Sequence, residues 1–97
     1  MVICNTLQEL RENIDVVDNQ IVELIALRNS YIKQAAKFKQ SVEEIKTDKR
    51  ISDVIERVRL KAIELGVSPN LVNDLYVTMI NEMLETEIAE FQNAKSL

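Results

Sequence analysis

Residues 6–40 read TLQELRENIDVVDNQIVELIALRNSYIKQAAKFKQ and hold neither Gly nor Pro. Apolar side chains recur at Leu7, Leu10, Ile14, Val17, Ile21 and Leu24, then at Tyr31, Ala35 and Phe38. The steps alternate between three and four once position 28 is counted, which is the stripe of an α-helix packed on other helices. Position 28 belongs to that stripe, yet it is Arg28. A guanidinium keeps its proton at any working pH, so it needs an anionic partner where it is buried. Lys39 lies eleven residues further on. On a continuous helix the two cations would stand about 20° apart in azimuth and about 16 Å apart along the axis. Two long cationic arms would then reach toward one small anion.

Working outward, 97 residues suffice for one domain near the small end of what folds unaided. One Gly and one Pro leave little turn chemistry, which argues for an all-α fold over a β fold. The formal charge of −4 points away from nucleic acid, whose binders carry a basic face. No apolar run approaches the roughly 20 residues of a membrane span, and Met1–Asn5 is too short for a signal peptide. With Cys4 as its single cysteine, the chain is expected in the cytoplasm. There is no His, so neither a Ser–His triad nor a His-ligated metal is available. No Gly-rich phosphate loop occurs. The remaining inventory of Arg, Lys and Glu suits a reaction without a nucleophile, in which fixed charges stabilise a polar transition state.

In chain order, Thr6 to Glu9 reads as a capping box, with Glu9 reaching back to the Thr6 N–H. A first helix is expected over residues 7–40. Gln40–Thr47 reads as a polar loop or lid anchored by Val42 and Ile45. Thr47 or Asp48 caps a second helix over 48–65, with Ile51, Val54, Ile55, Val58, Ala62 and Leu65 inward and Gly66 as its terminator. Ser68-Pro69 starts a third helix over 69–92. Glu87 falls inside its apolar face, four after Met83 and four before Phe91. Gln92–Leu97 is expected to fray. The second and third helices are too short to cover the first. Its uncovered stripe calls for a partner, most economically a second copy in an intertwined homodimer.

Leu10-Arg11-Glu12-x-Ile14-Asp15-x-x-Asp18, Leu27-Arg28 and Lys37-x-Lys39 together resemble the all-helical chorismate mutases over Leu7 to about Phe91. Arg28 through Lys39 is especially similar to the branch of isochorismate–pyruvate lyases, which make salicylate. The resemblance implies a homodimer with two sites, each completed by a cation from the partner chain. Arg11 would come from the partner to a substrate carboxylate, and Arg28 would hold the other. Lys39 would donate to the ether oxygen or a carboxylate, and Arg50 would add a further cation. The implied substrate is a small dicarboxylate, chorismate or isochorismate, with no cofactor and no metal.

Three positions depart from the mutase pattern. Ile51 stands where mutases commonly place a Glu for the ring hydroxyl, and the lyase branch is apolar there too. Met83 replaces a Ser of the mutase site. Glu87 replaces the ether-facing Gln, and it donates only when protonated, so burial must raise its pKa while Lys39 opposes the rise. Chorismate to prephenate is the leading reaction and isochorismate cleavage the runner-up. Blander readings stand beside these. Arg28 also suits a register-setting polar residue, Glu87 a half-buried ion-pair partner, and the whole chain a non-catalytic helical dimer that binds a chorismate-derived ligand or a partner protein.

Overall fold

The computed structural model describes residues 1–96. Its regular structure is helical, with no strand among the described residues. The elements are α1 (Leu7–Ala35), a 3-10 turn (Ala36–Phe38), α2 (Val42–Lys46), α3 (Arg50–Leu65) and α4 (Pro69–Lys95). The chain forms two compact units, Met1–Tyr31 and a second from Ile32 onward.

The first unit is most of α1. The Glu9 N–H donates to Thr6 Oγ1 at 3.0 Å, as the capping box requires. Glu9 Oε2 accepts from the Asn5 N–H at 2.9 Å, one residue earlier than the expected Thr6. None of α1's residues is buried. Leu7, Leu10, Ile14, Val17, Ile21 and Leu24 are all exposed, so the apolar stripe is an open face of this chain.

The second unit corrects the expected first helix. The α-helix stops at Ala35 rather than at residue 40. The next three residues tighten into the 3-10 turn, and Lys39 is extended, with φ −94° and ψ 147°. Ala36 is buried in this turn, which packs on α4. The helical extrapolation from Arg28 to Lys39 therefore fails: the break re-aims Lys39 toward residues further along the chain. The expected loop at 40–47 contains α2 instead. Ser41 Oγ accepts the Glu44 N–H at 3.1 Å, and Glu44 Oε2 accepts the Gln40 N–H at 2.8 Å. This reciprocal pair starts a helix of five residues that docks by Ile45, only 1% exposed.

Asp48 Oδ1 accepts the Arg50 N–H at 2.9 Å and so opens α3. The helix begins at Arg50, two residues later than expected. Its far end is a Schellman motif. The Gly66 N–H donates to Ile63 O at 3.2 Å, and the Val67 N–H to Ala62 O at 2.8 Å. Gly66 has φ 75°, a left-handed conformation that glycine adopts without a Cβ penalty. Ser68 Oγ then accepts the Leu71 N–H at 3.2 Å, with Pro69 in the first turn of α4. That helix runs to Lys95, past the fraying expected from Gln92, and the Lys95 ammonium sits 5.6 Å from the Phe91 ring centroid. Leu97, the last residue of that expectation, lies outside the described residues.

The buried apolar set of this unit is Ala36, Ile45, Val54, Ala62, Ile80 and Met83. Of the expected inward positions on α3, Val54 and Ala62 are buried, Ile51, Ile55 and Val58 are half-buried, and Leu65 is exposed. Leu65 closes the helix beside the Gly66 turn, where the chain leaves the packed face. On α4, Leu75 is likewise exposed.

Ile45 is the anchor that holds α2 on α4. Truncating it to Ala is expected to cost about 2–5 kcal/mol, measured by urea unfolding, the range for deleting a buried Ile side chain. A loss below about 0.5 kcal/mol, the level of an ordinary surface substitution, would mean that α2 does not depend on this contact.

Candidate active site

Three elements of the second unit converge on one ammonium. The 3-10 turn ends in the extended residue that projects Lys39. The link before α3 supplies Asp48. The apolar face of α4 supplies Glu87. Lys39 Nζ donates to Asp48 Oδ2 at 3.0 Å and stands 3.9 Å from Glu87 Oε2. The first distance is a charge-assisted hydrogen bond; the second is an ion-pair contact without one.

Glu87 is 6% exposed, the one buried charged residue among the described residues. Its Oε2 has no hydrogen-bond partner among them. Buried polar atoms are nearly always paired, so an orphaned one in a cluster of charges is where a ligand atom belongs. Burial raises the Glu87 pKa above the ordinary carboxylate value. The Lys39 charge opposes that rise, and the Asp48 charge adds to it. Asp48 is held the other way. The Arg50 backbone N–H and then the Lys39 ammonium lower its pKa. The hydrogen bond to Asp48 raises that of Lys39 against the cost of desolvation. The cluster is therefore an ionised Asp48, a firmly protonated Lys39 and a buried carboxyl biased toward its neutral form. Opposed environments of this kind separate an acid from a fixed counter-charge. A protonated Glu87 can donate to an oxygen that Lys39 also faces.

The other candidates from the sequence are placed as follows. Met83 is buried one turn before Glu87 on the same helix. Ile51 is half-buried and Arg50 exposed in the first turn of α3. Arg28 is half-buried and Arg11 exposed, and both lie on α1 in the first unit. Asp18 is exposed on the same helix. Lys39 and Glu87 are thus brought into contact, with Met83 buried four residues before Glu87. Sequence reasoning assigned Asp48 only a capping role. The cap was half of the signal: one oxygen of a capping carboxylate remains free to bind a cation, and Asp48 gives its other oxygen to Lys39. An open cavity of about 730 Å³ lies elsewhere, against Arg57, Leu60, Lys61 and Tyr76 among others. It contains no member of the Lys39 cluster, and its lining mixes acidic Asp53, Glu56 and Glu64 with basic Arg57 and Lys61.

A family described as chorismate mutase type II matches residues 10–88. An isochorismate pyruvate lyase of Pseudomonas aeruginosa is 27% identical over 92 residues, covering 95% of this chain and 91% of that protein. A chorismate mutase of Methanocaldococcus jannaschii is 32% identical over 87 residues, covering 87% of this chain and 88% of that protein.

The raised pKa of Glu87 fixes the sign of a stability effect. Well below the ordinary carboxylate value, both folded and unfolded chains hold this proton, and the group contributes nothing. As pH rises through that value the unfolded chain ionises first, so the folded state loses stability up to the folded pKa. Asp48 acts oppositely: its contribution is present at neutral pH and is lost as pH falls through its lowered folded pKa. Glu87→Gln removes only the first effect. Relative to wild type it is expected to gain unfolding free energy between about pH 5 and about pH 8, measured by urea denaturation at both values. A difference that does not change with pH would contradict the buried neutral carboxyl.

Proposed function

Because the chain belongs to the type II chorismate mutase family, we propose that it converts chorismate to prephenate and that Lys39 and Glu87 form the catalytic pair. The observation that carries this reading is Glu87 Oε2, buried, without a hydrogen-bond partner among the described residues and 3.9 Å from the Lys39 ammonium. In the rearrangement the ether C–O bond breaks while a new C–C bond forms within the same molecule. No atom leaves and no external electron acceptor is needed. The barrier falls when the substrate is held in a chair-like near-attack geometry and when preformed donors meet the charge growing on the ether oxygen. Lys39 supplies one donor. Protonated Glu87 supplies the second, in place of an amide. Arg28 holds one substrate carboxylate, and Arg11 of a second copy takes the other. Arg50 adds a cation at the start of α3, and Ile51 and Met83 form apolar walls.

This site needs two chains, assembled as a single-domain intertwined homodimer. The support is the open stripe from Leu7 to Leu24, all of it exposed in the single chain. A contiguous apolar face of that length is rarely left to water. A second reading, an isochorismate pyruvate lyase, is favoured by Ile51 and by the Pseudomonas aeruginosa relative. There the same C–O bond breaks while a ring hydrogen moves to the enolpyruvyl methylene, giving salicylate and pyruvate. Both reactions are pericyclic and draw on the same donors. Neither uses a cofactor or metal.

Supplying the purified protein with each substrate separately, and identifying products by NMR, tests the assignment. Prephenate from chorismate is the expected outcome. Salicylate and pyruvate at the higher rate would move the chain to the lyase branch, and no product from either would end the proposal. Arg28→Ala and Lys39→Ala are each expected to lose about 10²–10³-fold or more in kcat, the scale of removing one preorganised donor. A rate within a few-fold of wild type in either variant would remove that residue from the site. The sedimentation coefficient of the wild type should be that of a dimer, and Ile14→Asp with Ile21→Asp should yield monomer without activity.

A further inference from the structure

The mechanism above uses Lys39 and Glu87 and leaves Asp48 unexplained. Asp48 is half-buried and more than a cap. One carboxylate oxygen is fixed by the Arg50 N–H at 2.9 Å, and the other by Lys39 Nζ at 3.0 Å. One bond comes from a backbone N–H of fixed position and the other from an ammonium, so both carboxylate oxygens are engaged. Lys39 and Asp48 also bracket the whole of α2, nine residues apart, and their ion pair closes that segment, which packs on α4. Lys39 is thereby held by something other than the substrate.

We propose that Asp48 is a positioning residue for the reaction: it aims the Lys39 ammonium at the Glu87 carboxyl and sets a fixed negative charge beside it, so that Glu87 works as a hydrogen-bond donor. The inference rests on the proposed activity for its kinetic consequence, but not for its electrostatics.

Among the charges around Glu87 in the second unit, Asp48 is the anion that adds to the effect of burial. From the end of the 3-10 turn comes Lys39, which favours the ionised form. From the link into α3 comes Asp48, which disfavours it. The charged residues of α2, Glu43, Glu44 and Lys46, are exposed, and that helix turns Ile45 inward. Arg50 and Asp53 in the first turn of α3 are exposed. On α4, the residues one turn before and one turn after Glu87 are Met83 and Phe91, and Glu90 is exposed. One cation thus stands against one anion, and removing the anion leaves burial alone to oppose Lys39. Glu87 then ionises more readily, and an ionised carboxylate repels the developing negative charge instead of stabilising it.

Asp48→Asn isolates this role, because the amide oxygen still caps Arg50 while the charge is gone. Asp48→Ser, also a capping residue, serves where the Asn variant does not fold. Two readouts are needed. The first is the titration of the Glu87 side-chain carbonyl by carbon-13 NMR, assigned with Glu87→Gln, which requires no turnover. Its midpoint is expected to fall in the Asn variant. The second is kcat against pH on whichever substrate the wild type converts. Beyond a loss from the less well aimed Lys39 that is equal at every pH, activity above the wild-type midpoint should fall by about a further tenfold, the effect of one nearby charge on a donor's protonation. Asp48→Glu, which keeps the charge, should recover most of the high-pH activity. An unchanged or raised Glu87 midpoint would overturn the proposal. So would a loss of kcat that is equal at every pH, since that is what a merely structural role produces. A wild type that converts neither substrate would refute the proposed activity while the NMR titration still judged Asp48.

Discussion

A single ammonium shared between two unlike carboxylates is the constraint on which the second unit depends. Lys39 makes a short hydrogen bond with Asp48 and only a long ionic contact with Glu87. The asymmetry has a physical origin. Asp48 is partly solvated and receives a backbone N–H as well, so its charged form is well supported. Glu87 sits on the apolar face of α4, where desolvation works against its charge. To place Lys39 between them, the chain must abandon the α-helix after Ala35 and extend at Lys39. The short α2, its capping pair and the Ile45 anchor all occupy the segment that this departure creates. The site and the local fold are therefore one arrangement.

The legible parts of the fold were those written in local backbone chemistry. The 3–4 stripe of α1, the Gly66 terminator and the Ser68-Pro69 start each depend on a few adjacent residues, and each appears where the sequence puts it. The break at Ala35 was not legible. Ala35-Ala36-Lys37-Phe38-Lys39 carries good helix propensity and no Gly or Pro. What ends the helix there is tertiary: burial of Ala36 in the turn packed on α4 and the reach of Lys39 to Asp48. The Ser41-x-x-Glu44 signature was present and readable as a capping box, yet the polar composition of 40–47 suggested a loop.

The same distinction applies to the candidate site. Glu87 was visible because a charge in an apolar face breaks periodicity. Asp48 was not visible as a site residue because an ion pair spanning a non-helical turn has no period. Lys39 was set in register with Arg28 by a helix that ends at Ala35, although the two cations themselves remain the ones the proposed chemistry needs. On the proposed function, Ile51 and Met83 are where substrate preference is most open to change. A half-buried apolar side chain and a buried thioether offer a ring hydroxyl no strong partner, so neither residue commits the chain to chorismate over isochorismate.

The central claim is that Glu87 acts as a neutral donor beside Lys39. The most direct test is kcat/KM for chorismate as a function of pH in the wild type and in Glu87→Gln. The account predicts a wild-type rate that declines as pH rises through the Glu87 midpoint, and a Gln variant that is flat over the same interval because its amide donates at every pH. Parallel profiles for the two proteins, or a wild-type rate that climbs with pH, would contradict it.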